Sequence, residues 1–319
     1  MSDEAVDVSI IVVTYDSERD LAVCLESALA QAGVTTEVVV VDNASTDGSR
    51  EIVEGFGPRV RLLRQAENVG FAEGMNIGID ATSGRYVLAL NPDCRLEPTF
   101  AARLATRLDA RPDAASASGR LLRTDGPGLG PTGVLDSTGI YFTASGRHFD
   151  RGGGEPAEGR YLGEEEVFGV TGAAGFYRRA ALEAARISTG YFDADFFAYR
   201  EDADLAWRLQ RLGWKCVYVP DALAYHRRAN LPERRGAMTS DVNYHSVKNR
   251  FLLRINNQTR GELLRTLVPT LARDAVVLAG CIVRERSSLP AFGWLWSERR
   301  RLMRKRREIQ SLPRREEAA

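Results

Sequence analysis

Tyr86-Val-Leu-Ala-Leu-Asn-Pro-Asp-Cys94 is the stretch on which the reading of this chain turns. Tyr86 to Leu90 is an apolar, β-favouring run and reads as a buried strand. Pro92 cannot donate to a strand ladder, so the strand stops at Asn91-Pro92-Asp93. In an open α/β sheet, ligands collect beyond the carboxyl ends of the strands. Asp93 therefore stands at the mouth of a crevice, where a carboxylate can hold a divalent cation that bridges phosphate oxygens. The bland alternative is a cap on the helix expected from Pro98 onward.

Working outward, the same pattern recurs. Val8 to Thr14 is a β-branched strand, followed by a helix from Ser17 to about Gln31 with Leu21, Leu25, Ala28 and Leu29 on one face. Glu37 to Val41 is a strand ending at Asp42-Asn43, with Thr46 as the expected N-cap of the next helix. Val60 to Leu63 is a third strand, and Gly70 to Ala81 a helix. Alternating strands and helices imply right-handed crossovers and a largely parallel sheet, with the strand ends lining one edge. A helix at 98–108 and a strand at 114–123 follow. Residues 124–163 are rich in Gly and Pro and read as a short hairpin around Tyr141-Phe142 within loop, either a lid or a tolerated insertion. Strand character returns at 168–177, then helix at 179–186, helix at 201–212, and β-rich runs at 215–219 and 222–225. Helices dominate beyond Arg227. The expected division is residues 1–230 as a nucleotide-binding and catalytic α/β unit and 231–319 as a helical, basic extension.

Composition narrows the classes. Lys+Arg and Asp+Glu number 43 each, so net charge selects no partner. The four cysteines form no C-x-x-C pair, which argues against a zinc ribbon or a disulfide framework and for a reducing compartment. The first seven residues do not read as a signal peptide. Leu263 to Val283 is the most apolar stretch, but Arg265, Pro269, Arg273 and Asp274 interrupt it, so a spanning helix is not expected. Phe292, Trp294, Leu295 and Trp296 lie beside the cluster Arg299 to Arg307. That combination suits an interfacial helix on anionic lipid; a solvated basic helix is the plain alternative, and nucleic acid is the weakest partner.

Several side chains carry chemistry. Asp42, at a strand end, can accept the N3–H of uracil or thymine, or cap a turn. Gly70, Gly74 and Gly78 share one helix face, so another element or a ligand approaches closely there. Their spacing matches neither the dinucleotide nor the P-loop fingerprint. In Glu201-Asp-Ala-Asp-Leu-Ala-Trp-Arg208, Asp202 lies on the inward face at the first turn, an ionised carboxylate suited to general-base work or to capping. Asp204 and Arg208 are an i,i+4 structural pair. His226 ends a β-rich run and either packs or completes a metal site; Arg227 and Arg228 beside it suit a diphosphate.

As a set, these motifs resemble the family 2 glycosyltransferases of the GT-A fold, near the bacterial rhamnosyltransferase branch. The matching residues are Val-Ser-Ile-Ile-Val-Val-Thr-Tyr (8–15), Val-Val-Asp-Asn-Ala-Ser-Thr-Asp-Gly (40–48), Asn-Val-Gly-Phe-Ala-x-Gly-x-Asn-x-Gly (68–78) and Asn-Pro-Asp (91–93). Thr-Gly-Ala (171–173) with Arg179, Glu-Asp-x-Asp-Leu-x-x-Arg (201–208) and Tyr-His (225–226) complete them. The resemblance implies that Thr14, Tyr15 and Asp42 hold the nucleoside, with Asn68, Asn76 and Asn91 supporting the donor. Asp93 and His226 would hold Mg²⁺ or Mn²⁺, and Asp202 would be the catalytic base. Glu201, Arg227 and Arg228 would touch the acceptor or the diphosphate. The donor would be a dTDP- or UDP-sugar, dTDP-L-rhamnose first, with galactofuranose or N-acetylglucosamine as alternatives. The acceptor would be a cell-envelope glycan or a polyprenyl-diphosphate-linked precursor, met in the cytoplasm at the inner face of the plasma membrane. Two departures stand out: Asn91 replaces the first acid of the family's Asp-x-Asp, and Asp16 replaces the usual Asn. A sugar-phosphate nucleotidyltransferase is disfavoured, because no Gly-rich basic loop follows the first strand. A non-catalytic sugar-nucleotide scaffold is the remaining alternative of another class.

Overall fold

A computed structural model describes residues 6–126, 128–228 and 239–315. The expected boundary at residue 230 lies outside the described residues. The strands are β1 (Val8–Thr14), β2 (Thr36–Asp42), β3 (Arg61–Arg64), β4 (Tyr86–Leu90), β5 (Cys94–Leu96), β6 (Ala114–Asp125), β7 (Gly130–Ser137), β8 (Ile140–Phe142), β9 (His148–Asp150), β10 (Glu165–Val167), β11 (Ala174–Arg178) and β12 (Lys215–His226). The helices are α1 (Glu18–Leu29), α2 (Ser49–Gly55), α3 (Gly70–Asp80), α4 (Phe100–Ala110), α5 (Arg179–Ala184), α6 (Glu201–Arg211), α7 (Ser240–Asn257), α8 (Arg260–Val283), α9 (Pro290–Ser297) and α10 (Arg299–Ser311).

The result is a mixed α/β sheet in the order β10-β12-β6-β11-β4-β1-β2-β3 with helices on both faces and a C-terminal helical region. β1 pairs in parallel with β2 and β4, setting Val8 beside Thr36 and Tyr86, and Thr14 beside Asp42. These strands are buried on both faces, which is why their sequences are continuous apolar runs rather than alternating ones. Leu21, Leu25, Val53 and Leu104 of α1, α2 and α4 cover one face. Met75, Ile79, Leu182, Leu205 and Leu209 of α3, α5 and α6 cover the other.

The structure corrects several expectations. β11 runs antiparallel between β4 and β6, which strand–helix alternation does not reveal. The runs at 215–219 and 222–225 are one strand, β12, whose register shifts between Tyr218 and Leu223. The 124–163 region holds the expected hairpin, β8 against β9, but also β7, which adds to the main sheet beside β6. Thr46 does not cap α2; its N–H and hydroxyl meet the Asp16 carboxylate instead.

The glycine stripe is explained by an element, not a ligand. A Cβ on Gly74 would lie 2.8 Å from Val13 Cγ1, one on Gly78 would overlap Ile11 Cγ2, and one on Gly70 would strike Phe197. α3 thus rests directly on β1, and the Tyr15 end of β1 is fixed against it. Gly78→Ala should lower unfolding free energy by about 1–2 kcal/mol, the overpacking penalty less the gain in helix propensity. Chemical denaturation measures it; unchanged stability would show that Ile11 yields freely.

The C-terminal helices are fastened to this layer by buried polar bonds. Asp204 pairs with Arg208 at 2.9 Å and accepts from Asn256 and Asn257 at 2.9 and 2.7 Å. Lys305 reaches Asp193 and Asp195, and Arg301 reaches Asp195 at 2.7 Å. Two members of the basic cluster, Arg301 and Lys305, are thereby neutralised by acids of the α5–α6 connection, while Arg299, Arg300, Arg304 and Arg307 stay exposed.

Candidate active site

Of the strand ends expected to line a crevice, those at Tyr15 and Asn91 do so, and β2 contributes Asn43 in place of Asp42. A cleft of about 930 Å³ is lined by Tyr15, Asn68, Asn91, Asp93, Glu201, Asp202, His226, Arg227 and Arg228 among others. Thr14, Asp42 and Asn76 do not line it. Asp42 is fully buried beneath Arg50, whose Nε donates at 2.6 Å, and it also accepts from the Ser45 N–H at 3.3 Å. Asn76 spends its amide on the backbone of Thr189 and Phe192, holding the segment after α5 against α3. In this conformation it braces the scaffold rather than touching the cleft.

Asp16, which stands in place of the usual Asn, has φ of 47°. Asp and Asn are the side chains that best tolerate this left-handed region. Its carboxylate accepts from Thr46 N–H at 2.7 Å, so it orders the β2–α2 turn at the cleft wall.

The Asn91-Pro92-Asp93 turn is tied across the sheet. Asn91 N–H donates to Ala173 O at 2.9 Å, and Asp93 O accepts from Arg227 N–H at 3.0 Å. The β5–β12 pairing sets His226 opposite Cys94, and His226 Nε2 lies 3.3 Å from Asp93 Oδ1. Two ligands on one octahedral cation with bonds near 2.1 Å lie about 3 Å apart, so this pair fits a shared hard divalent ion. His226 Nδ1 meets Asp136 Oδ2 at 2.7 Å, which aims Nε2 at Asp93. Burial pushes the imidazole down, but Asp136 and Asp93 outweigh it and hold it up to about 10. Cys94 is near, yet its buried thiol donates to Ala173 O and burial pushes it well up, so it offers no thiolate.

Asp202 begins α6. Its carboxylate accepts from Gly172 N–H at 2.8 Å and from its own helix's Ala203 N–H at 2.7 Å. A Cβ on Gly172 would crowd Asp202 Oδ2 at 3.3 Å, so glycine lets that backbone approach. Burial raises Asp202 to about 6, against the pull of both N–H groups. A carboxyl at about 6 is largely ionised at neutral pH, with a proton affinity suited to exchange there. Beside it, burial and then Asp202 push Glu201 well above the ordinary carboxyl range.

The loop before α6 is strained. Phe197, Tyr199 and Arg200 all have positive φ, 65°, 71° and 76°. Left-handed non-glycine residues persist only where surroundings over-determine them. Here Asn249 of α7 donates to the carbonyls of Phe196, Ala198 and Tyr199 at 2.9, 2.7 and 2.7 Å. The C-terminal region thereby positions Asp202, and Asp241 and His245 of α7 line the cleft themselves.

Arg227 and Arg228 reach the cleft already paired. Arg227 binds Asp20 at 2.8 and 3.1 Å; Arg228 binds Asp136 at 2.9 Å and Asp150 at 2.6 Å. They organise the wall rather than presenting open forks. Sequence reasoning missed Asp136, Asp150 and His148, all from the glycine-rich region read as loop. His148 Nδ1 faces Arg200 Nη1 at 3.0 Å, and burial with that cation pushes it well down, so it is neutral. The acidic spacing Asp136…Asp150 around an aromatic hairpin was the available signal.

Known proteins share this fold. The S. aureus TarS 1-349 structure with UDP-GlcNAc shares the fold at TM-score 0.56 and 17% identity, covering 96% of this chain and 91% of that one. The Pyrobaculum calidifontis mannosyltransferase PcManGT with GDP-Man and Mn²⁺ does so at TM-score 0.53 and 16% identity, over 97% and 86%. The N-acetylglucosaminyl-diphospho-decaprenol L-rhamnosyltransferase of Mycobacterium tuberculosis is 29% identical over 255 residues, 69% of this chain and 76% of its own. Succinoglycan biosynthesis protein ExoO of Rhizobium meliloti is 40% identical over 109 residues, 34% of this chain; the matched part spans only 31% of ExoO. Residues 9–184, more than half of the sequence, match the glycosyl transferase family 2 model, and the chain belongs to that family.

Proposed function

We propose that the protein is an inverting glycosyltransferase that moves a sugar from a nucleotide sugar, L-rhamnose from dTDP-L-rhamnose, to a hydroxyl of a cell-envelope glycan or a polyprenyl-diphosphate-linked acceptor. The observation that carries this is the convergence on one cleft of a raised, rigid carboxylate, Asp202, and the Asp93–His226 pair. The rhamnose donor is supported by the mycobacterial relative, which aligns over most of this chain.

In this reading Asp202 takes the proton of the acceptor hydroxyl. The oxygen forms a bond to the anomeric carbon as the bond to the nucleoside diphosphate breaks on the opposite face. One displacement with no covalent intermediate inverts the centre. Asp93 and His226 would hold Mg²⁺ or Mn²⁺; the mixed carboxylate–imidazole set accommodates Mn²⁺ well. When bound, such a cation offsets the charge on the departing diphosphate. Tyr15, Asn43 and Asn68 line the cleft and in this reading would face the nucleoside. Thr14 and Asp42 would take part only if Arg50 released the Asp42 carboxylate.

The test is slow donor hydrolysis by the purified protein with Mn²⁺. It would be offered dTDP-rhamnose, UDP-galactofuranose, UDP-N-acetylglucosamine, UDP-glucose and GDP-mannose. Release of dTDP from dTDP-rhamnose alone is expected. Preference for a UDP-sugar would keep the transferase and replace the donor. Binding of a sugar nucleotide with no turnover in any condition would favour a scaffold.

A further inference from the structure

α8 is an amphipathic helix mounted the wrong way round. Its inner side is polar: Thr266 takes a hydrogen bond from Gln258 at 2.9 Å, Asp274 pairs with Arg254 at 2.6 Å, and Thr270 is buried. Its outer side carries Leu264, Val268, Leu271, Val276, Ile282 and Val283, with Val268 77% and Val283 74% exposed. The interruptions Arg273 and Asp274 that argue against a membrane helix in the sequence lie on the inner side, at intermediate exposure. By length and composition alone the helix could cross a bilayer. The bonds from Gln258, just after α7, to Thr266 and from Arg254 of α7 to Asp274, however, fasten one side of its first half to the protein. An aliphatic face of this extent marks an interaction surface.

We infer that the outer face of α8 lies in the plane of an anionic bilayer and seats the cleft beside it. The face is wholly aliphatic, without the aromatic and Met enrichment of protein interfaces. Exposed arginines flank it at both ends, Arg260 and Arg265 at one and Arg284 and Arg286 at the other. Cations at the rim of an apolar stripe complement acidic headgroups. The helix is about 36 Å long, so both clusters reach the headgroups when it lies flat. α8 runs back along α7, and Cys281 packs with Val247, one residue beyond Ser246 of the cleft lining. A bilayer on α8 therefore meets the cleft mouth, where a lipid-linked acceptor would present its sugar. That consequence rests on the transferase reading; the docking itself does not.

The full chain is floated with vesicles of phosphatidylcholine containing phosphatidylglycerol, and with phosphatidylcholine alone. Flotation with the acidic vesicles, weakened by salt, is expected. The double variant Val268→Glu with Val276→Glu should lose it at least about tenfold, since inserted methyl groups are replaced by charge. Both sites are exposed, so thermal melting and lipid-free donor hydrolysis should stay unchanged. Wild-type protein that fails to float, or a variant that floats equally, overturns the inference. So does a wild-type dimer without lipid affinity that the variant dissolves, which would assign the face to a second copy. Lipid-free hydrolysis reads the transferase reading separately, so failure of one is distinguishable from failure of the other.

Discussion

Asp202→Asn should lower kcat by about 10²- to 10⁴-fold while leaving donor binding within a few-fold of wild type. Asn can keep one of the two N–H bonds through its carbonyl oxygen, but its NH2 then faces the other donor, because Gly172 binds Oδ2 and Ala203 binds Oδ1; the variant removes proton transfer and one bond of the cradle. Stability moves the other way. Burial raises Asp202 above its ordinary value of 3.8 to about 6. The folded protein therefore favours its protonated form, and that advantage is lost as pH rises through this interval. At neutral pH the ionised carboxylate costs stability, which offsets the lost N–H bond, so the Asn variant should melt within a few degrees of wild type. Wild-type activity should fall as pH drops through about 6, because protonation removes the base. A variant with full activity would remove Asp202 from the chemistry. A variant inactive and poorly folded would reduce it to a cap.

Asp93→Ala should abolish Mn²⁺ binding, read by electron paramagnetic resonance, and reduce donor hydrolysis by about 10³-fold or more, as expected for several kcal/mol of leaving-group stabilisation. The substitution removes one of the two converging ligand groups and leaves His226 beside Asp136. Asp136→Asn is the informative companion. It keeps both ligand groups but loosens the imidazole, so Mn²⁺ affinity should fall about 10- to 100-fold with smaller loss of saturated activity. Wild-type hydrolysis indifferent to a chelator, together with an active Asp93→Ala variant, would eliminate the metal role.

The two variants probe sites joined through backbone. Asp202 is held by Gly172, and the adjoining Ala173 carbonyl receives the Asn91 N–H. A small change in the 171–173 segment would move both carboxylates together. Glycine at 172 and alanine at 173 keep that segment close to both.

The chain's sequence alone determined the parts of this protein that depend on local order. β-branched runs ending in Asp or Asn located the strand ends, because those side chains stiffen extended backbone and polar or Pro residues stop it. The inward stripe of α6 located Asp202, since residues three and four apart share a face. The glycine stripe announced a close approach, and Ile11 and Val13 are what approaches. What only tertiary structure decided depends on partners distant in the chain. Asp42 is closed by Arg50, and Arg227 and Arg228 are taken by Asp20, Asp136 and Asp150. The aim of His226 comes from Asp136, on a strand whose Gly- and Pro-rich sequence gives no β pattern; it is held as a strand by pairing with β6. Arg301 and Lys305 of the basic tail turn inward because Asp193 and Asp195 lie beneath them, and α8 turns its aliphatic side outward because Asp274 and Thr266 find partners in Arg254 of α7 and in Gln258 just after it. A periodic pattern says that a helix has two faces; only the charges and hydrogen bonds of its neighbours say which one is inside.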